Sequence, residues 1–137
     1  MSLHSYLKSR TQTLNPYYYA GAMFLSRLTW DMTPEAWRSR KKLRDWKNRY
    51  VGEKAVIVCN GPSLLKADLT LLDGVFTFGL NKINLLFDKS DFRPSCIVSV
   101  NPYVIEQNRD FFNASNLPLF LDGAATAHVK NNNNAVF

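Results

Sequence analysis

Val56-Ile57-Val58-Cys59-Asn60-Gly61-Pro62-Ser63-Leu64 joins an apolar, β-branched run to a tight polar turn and then to the residues of a helix start. A strand that delivers the chain into such a turn is how α/β proteins hold phosphate. The event recurs: the run Val75 to Gly79 leads into Asn81, and Cys96 to Val100 leads into Asn101. In a parallel sheet, successive strand ends of this kind lie side by side, on the edge where open α/β folds bind their ligands. Asn60, Asn81 and Asn101 are therefore expected to face one pocket.

Working outward, strands and helices alternate. The pattern predicts strands over 55–59, 75–79, 96–100 and 118–121, with helices over 63–72, 81–89 and 103–113 between them. Such alternation gives an α/β fold, a Rossmann-like parallel sheet, and strands apolar on both sides imply helices over both faces. Upstream, Thr33 is suited to cap a helix, Pro34 to its first position and Glu35 to its first turn, so a helix should run to about Tyr50, before Gly52. Its apolar stripe is Leu43, Trp46 and Tyr50, and its polar surface is dominated by lysine and arginine. Ala20 to Leu28 reads as a short helix packed on the main domain. The expected organisation is a basic helical segment over residues 1–53 and a nucleotide-binding α/β domain over 54–137. The run from Lys130 to Phe137 stops on an apolar residue without a closing element, so the domain is read as incomplete at its C-terminus.

A chain of 137 residues, 46% hydrophobic and 13% aromatic, holds enough apolar surface for one modest core, which excludes a disordered protein. The net charge of +6 is uneven: residues 1–54 hold 11 Lys/Arg against 4 Asp/Glu, and the remainder 6 against 7. A basic helix beside a near-neutral domain reads first as a solvated helix face, and beyond that is suited to an anionic membrane surface, an acidic partner or nucleic acid. Nucleic acid is the poorer fit, because the cations are not interleaved with an RNA-reading motif. Cys59 and Cys96 lie in apolar runs, where thiols behave as small buried hydrophobes, and no metal-ligand spacing is present. Met1-Ser2-Leu3-His4 does not open a secretory signal, and no apolar run has the length of a membrane span. The expected location is cytoplasmic, peripheral on the inner membrane face.

Each residue of the turn has a chemical use. Gly61 lets a ligand approach without a Cβ in the way, Pro62 presets a helical φ and lacks an N–H, and Ser63 can cap. Asparagine both donates and accepts hydrogen bonds but does not shuttle protons at neutral pH, so Asn60, Asn81 and Asn101 bind and orient. Each is also well suited simply to cap the element that follows. The turn lacks the Gly-Lys-Ser/Thr ending of a Walker loop and is not a Gly-x-Gly-x-x-Gly fingerprint. No catalytic set assembles: His4 and His128 are isolated, there is no Asp-x-Asp pair, and Asp88 and Asp91 read as loop residues. The catalytic residues are unassigned, and neither a metal nor a cofactor is expected.

Asn60-Gly61-Pro62-Ser63-Leu64 after a strand, Phe78-Gly79-Leu80-Asn81, and Val100-Asn101-Pro102 together resemble the bacterial sialyltransferases of glycosyltransferase family 42 and the related MptE-like domain proteins. The stretch from Phe76 to Ile83 and on through Phe92-Arg93-Pro94 looks especially like the MptE-like set. Order and spacing carry the resemblance, over roughly residues 54–122. It implies a Rossmann-like domain that binds a cytidine-monophosphate sugar without a metal and transfers the sugar to a surface glycan. By position, Asn60, Gly61, Pro62 and Ser63 would hold the nucleotide, and Asn81 and Asn101 its phosphate or ribose. The family's general-base histidine and phosphate-binding tyrosines have no match here. The characterised MptE enzymes resemble the chain in the same turn and imply an alternative, pyrophosphate transfer from ATP to a pterin alcohol with Mg²⁺. A non-catalytic nucleotide-binding module is the further alternative.

Overall fold

A computed structural model describes residues 15–130 and 132–137. The readings of His4, of the opening residues and of Asn131 lie outside the described residues. Among the described residues two helices come first, α1 (Pro16–Asp31) and α2 (Pro34–Trp46). Asn15 Oδ1 accepts the Tyr17 amide at 3.1 Å ahead of Pro16, and Thr33 Oγ1 accepts the Ala36 amide at 3.2 Å ahead of Pro34. Both starts thus pair a polar cap with a proline whose missing N–H costs nothing there. α2 ends four residues short of the expected Tyr50: Lys47 is extended, Asn48 takes φ 61° and Gly52 takes φ 81°.

Five strands follow: β1 (Ala55–Val58), β2 (Phe76–Leu80), β3 (Cys96–Ser99), β4 (Leu119–Leu121) and β5 (Ala135–Val136). All pairings are parallel and the strand order is sequential, β1-β2-β3-β4-β5. The α/β class and the parallel sheet expected from the sequence are therefore present. β5 was not read from the sequence, because two residues beside an asparagine tract carry no period.

The crossovers differ from expectation. In place of one helix over 63–72 there are two 3₁₀ turns, Pro62–Lys66 and Leu69–Leu72. Asp68 is the cause: its carboxylate accepts both the amide and the hydroxyl of Thr70, a local bond that competes with the helix. The expected helix over 81–89 is a single 3₁₀ turn, Ile83–Leu86, after Asn81 enters the left-handed region. The third crossover is helical but splits into α3 (Pro102–Gln107) and α4 (Arg109–Ala114) at Asn108. There the Asn108 and Asn84 amides exchange hydrogen bonds of 2.8 and 3.3 Å, tying one crossover to the next.

A sequential parallel order with right-handed crossovers puts every connection on the same face of the sheet. On that face Val58, Ile97, Leu119 and Leu121 pack with Ile83, Leu86, Ile105 and Phe112 in one buried cluster. The expectation of helices on both faces is met, but the crossovers supply one layer alone. The second layer comes from upstream, where Trp46 meets Phe76 and Phe120 edge-on and Tyr50 lies on Phe76. Cover is incomplete toward β1, an edge strand, where Ile57 stays 66% exposed.

α2 docks through smaller residues than the expected stripe. Leu43 is exposed, whereas Ala36 and Ser39 are buried and bring the helix close to β5. Ser39 Oγ accepts the Phe137 amide at 2.9 Å, and Lys42 Nζ donates to the carbonyls of Asn133 and Ala135 at 2.7 and 2.8 Å. Burial, and then the Arg38 charge, hold the Lys42 ammonium below its ordinary pKa. This contact closes the sheet edge that β5 would otherwise offer to another strand. Lys42→Met leaves both carbonyls without their cationic donor; chemical denaturation should show a loss of about 1–2 kcal/mol.

Candidate ligand-binding edge

Each of the first four strands ends in an Asx residue within three positions: Asn60 after β1, Asn81 after β2, Asn101 after β3 and Asp122 after β4. Continuing the register beyond the Val58–Gly79 pair sets Asn60 level with Asn81. Continuing it beyond Leu80–Val98 sets Asn81 level with Ser99. The Asn81 amide donates to the Val98 carbonyl at 2.9 Å, and Ser99 Oγ donates to Asn81 Oδ1 at 3.3 Å. Asn81 sits at φ 54°, a conformation that asparagine tolerates better than most residues. Its side-chain oxygen is thus engaged by the neighbouring strand, while its Nδ2 donates to nothing among the described residues.

Asn101 is placed differently. It lies two residues beyond Ser99, and its side chain caps α3 by accepting the Tyr103 amide at 3.0 Å. Asp122 does the same for the turn Gly123–Ala127, accepting the Ala124 amide at 2.8 Å. The expectation of three equivalent binding asparagines therefore resolves into an exposed Asn60, a half-engaged Asn81 and a capping Asn101. Sequence reading missed Lys82 and Ser99. Lys82 Nζ donates to Gln107 Oε1 at 2.6 Å, which sets a cation immediately after Asn81.

The loop Asn60-Gly61-Pro62-Ser63 is exposed throughout. Pro62 takes the first position of its turn as expected, but Ser63 does not cap, and Gly61 occupies the cap position without a side-chain bond. The element that follows is one short 3₁₀ turn, so the loop lacks the aligned dipoles of an α-helix end. Binding at this loop must rest on direct hydrogen bonds. Gly61 has an ordinary φ of −77°, and a Cβ there would meet only Ser63 Oγ, at 3.7 Å. The fold itself does not demand glycine at 61.

Cys59 is exposed, contrary to the expected burial of both thiols, because β1 is an edge strand that ends at Val58. Cys96 lies buried in β3, where burial pushes its thiol up to about 11. One thiol should therefore react rapidly with a disulfide reagent and the other only in denaturant, with Cys59→Ser abolishing the fast phase. Modification of both at the fast rate would contradict this burial.

A further concavity lies elsewhere. An open cleft of about 830 Å³ runs between the first two crossovers toward the N-terminal ends of β2 and β3, past Asp68, Thr70, Arg93 and Ser95. Two of its charged groups, Asp68 and Arg93, already have internal work. Asp68 holds Thr70, and Arg93 stacks on Phe87 at 4.3 Å while donating to the carbonyls of Ser90 and Phe92 at 2.8 Å. The asparagine edge, with the unengaged amide of Asn81 and the exposed Asn60, is the better candidate.

Among the described residues no group of three or more His, Cys, Asp and Glu could hold a metal ion. His128 closes the turn after β4 and lends its backbone carbonyl to Asn113 Nδ2 at 3.0 Å. No described helix is long and apolar enough to cross a membrane. The fold and this edge define an α/β protein with a polar strand-end surface. Comparisons with protein-family models, with curated proteins and with solved structures find no match to this chain.

Proposed function

We propose that the strand-end surface binds the nucleotide of an activated sugar, of the cytidine-monophosphate type, within a Rossmann-like glycosyltransferase that acts on surface glycans. Gly61 carries this reading: it is a glycine for which neither backbone conformation nor packing gives a reason, set between two donors, Asn60 and Ser63, on an exposed loop. Close approach of a ligand supplies the missing reason. In the proposed complex Asn60, the backbone about Gly61 and Pro62, and Ser63 hold the nucleotide. Asn81 Nδ2 and Lys82 Nζ meet the phosphate, while Asn101 orients α3 at the rim.

A donor that leaves as a monophosphate develops less charge than one leaving as a diphosphate, so hydrogen bonds and one ammonium group suffice to steady it. The competing reading, pyrophosphate transfer from ATP, calls for Mg²⁺ bridging the phosphates. Asp122 is the carboxylate at this edge and is engaged as a cap, which is a poor start for such a site. Calorimetric titration with CMP and with ATP, each in Mg²⁺ and then in EDTA, separates the two. Metal-independent preference for CMP is expected; Mg²⁺-dependent binding of ATP would move the assignment to the pyrophosphokinase. Binding without turnover in the presence of sugar donor and acceptor would make the chain a nucleotide-binding module.

A further inference from the structure

α1 is placed inside out. Its docking side carries Ala22, Ser26 and Trp30, and the indole of Trp30 packs against Gly123, where an added Cβ would meet it at 3.3–3.4 Å. The outer side carries Tyr17, Tyr18, Phe24, Leu25 and Leu28, with Gly21 among them and Met32 just past the end. Positions 17, 18, 21, 24, 25 and 28 follow the three-and-four spacing of a single helix face. The expected packing of Ala20 to Leu28 on the domain is thus met by the small residues, while the large apolar ones point away. Their exposures are 85% for Tyr17, 75% for Tyr18, 64% for Phe24, 60% for Leu25 and 81% for Met32. No residue of α1 is buried, and nothing among the described residues covers this stripe.

The neighbouring helix says what the stripe meets. Trp37, Arg40, Lys41 and Arg44 share the outer face of α2, and Trp37 is 67% exposed. The two helices are joined at Asp31, which pairs with Arg40 through its carboxylate and accepts Trp37 Nε1 on its carbonyl at 2.8 Å. That joint sets the cationic face beside the C-terminal end of the apolar stripe. The charged residues of α1 are Arg27, which lies off the stripe, and Asp31, which follows Phe24 and Leu28 at its C-terminal end and is paired there with Arg40. A face rich in tyrosine, phenylalanine and leucine, its terminal acid paired with an arginine and its border formed by cations and a tryptophan, is the chemistry of a helix lying in a bilayer interface. A protein partner would be expected to present groups that answer the cations individually, and a second copy would bring two cationic faces together.

We propose that α1 lies in the interface of an anionic lipid bilayer through Tyr17, Tyr18, Phe24, Leu25 and Leu28, with the outer cations of α2 on the lipid headgroups. The proposal does not rest on the nucleotide reading, and its test uses no nucleotide. The 137-residue chain is to be sedimented with vesicles of phosphatidylglycerol and phosphatidylcholine, and with phosphatidylcholine alone. Recruitment is expected on the anionic vesicles, weakened by added salt through screening of the α2 cations. Phe24→Gln/Leu28→Gln should reduce it by about tenfold or more, and Lys41→Gln/Arg44→Gln should reduce the preference for the anionic lipid. All four side chains are exposed, so an unchanged circular dichroism spectrum is expected and keeps the comparison valid. Failure to bind anionic vesicles at low salt, or binding that the apolar double variant leaves intact, overturns the proposal. So does a dimer that this variant dissociates when no vesicle binding is seen, since the stripe then belongs to a second copy of the chain.

Discussion

Gly79→Ala is expected to lower stability by about 3 kcal/mol, at the upper end of what overpacking a core ordinarily costs. Gly79 lies in β2 on the face that carries the crossovers, paired with Val58 and Ile97. A Cβ built there would stand 2.8 Å from Ile83 Cγ2 and 2.9 Å from Pro94 Cγ. Neither neighbour can yield cheaply: Ile83 is 1% exposed and stiff at χ1 because it branches at Cβ, and Pro94 is a rigid buried ring. The strand must shift, and with it the start of the next turn at Asn81. A urea titration beside the wild-type chain measures the loss. Gly79→Ala/Ile83→Ala should cost less than the sum of its single variants, because removing the branch admits the new methyl group. Strict additivity would show that the crowding is not at Ile83.

The contrast between what was legible and what was not follows from the range of the interactions. The four longer strands could be read because apolar runs bounded by turn residues carry their own signal. The start of α2 was readable for the same reason, since Thr33 and Pro34 act within four residues, whereas α1 begins at Pro16 behind its Asn15 cap and not at the expected Ala20. The first two crossovers were misread as helices because Asp68 and Asn81 look permissible in a helical run. Only the Thr70 partner and the left-handed backbone reveal the breaks. β5 was invisible, since its pairing to Leu119 and Phe120 and its cover by Ser39 and Lys42 all come from residues distant in sequence. The outward stripe of α1 was misassigned for a different reason. Periodicity shows that a face is apolar but not whether the protein or its surroundings will cover it.

At the candidate site the asparagines were found from position alone, and their differences were not. Sequence treats Asn60, Asn81 and Asn101 alike, yet Asn101 spends its side chain on Tyr103 and Asn81 half of its side chain on Ser99. Unequal loss on substitution should follow. Asn60→Ala is expected to weaken CMP binding by about tenfold, the cost of one or two hydrogen bonds to a charged or ribose oxygen, with little change in stability. Asn101→Ala should act mainly on the fold, through loss of a helix cap worth about 1 kcal/mol.

Gly61→Ala gives the largest functional effect expected. The methyl group meets nothing of the protein closer than Ser63 Oγ at 3.7 Å, and φ at −77° suits alanine, so stability should stay level or rise slightly. A ligand seated against the backbone at this point would instead be pushed away, and a shift of about an ångström forfeits most of the hydrogen bonds around it. Loss of CMP affinity by about a hundredfold, in a chain whose unfolding midpoint is unchanged, is the expected result. Protection of Cys59 from alkylation reports the same event without calorimetry, since the thiol is exposed one residue before Asn60. Saturating CMP should slow its modification in the wild-type chain and leave it unaffected in Gly61→Ala. If Gly61→Ala binds CMP as well as the parent, the glycine is incidental, and the nucleotide, should it bind at all, sits away from this turn.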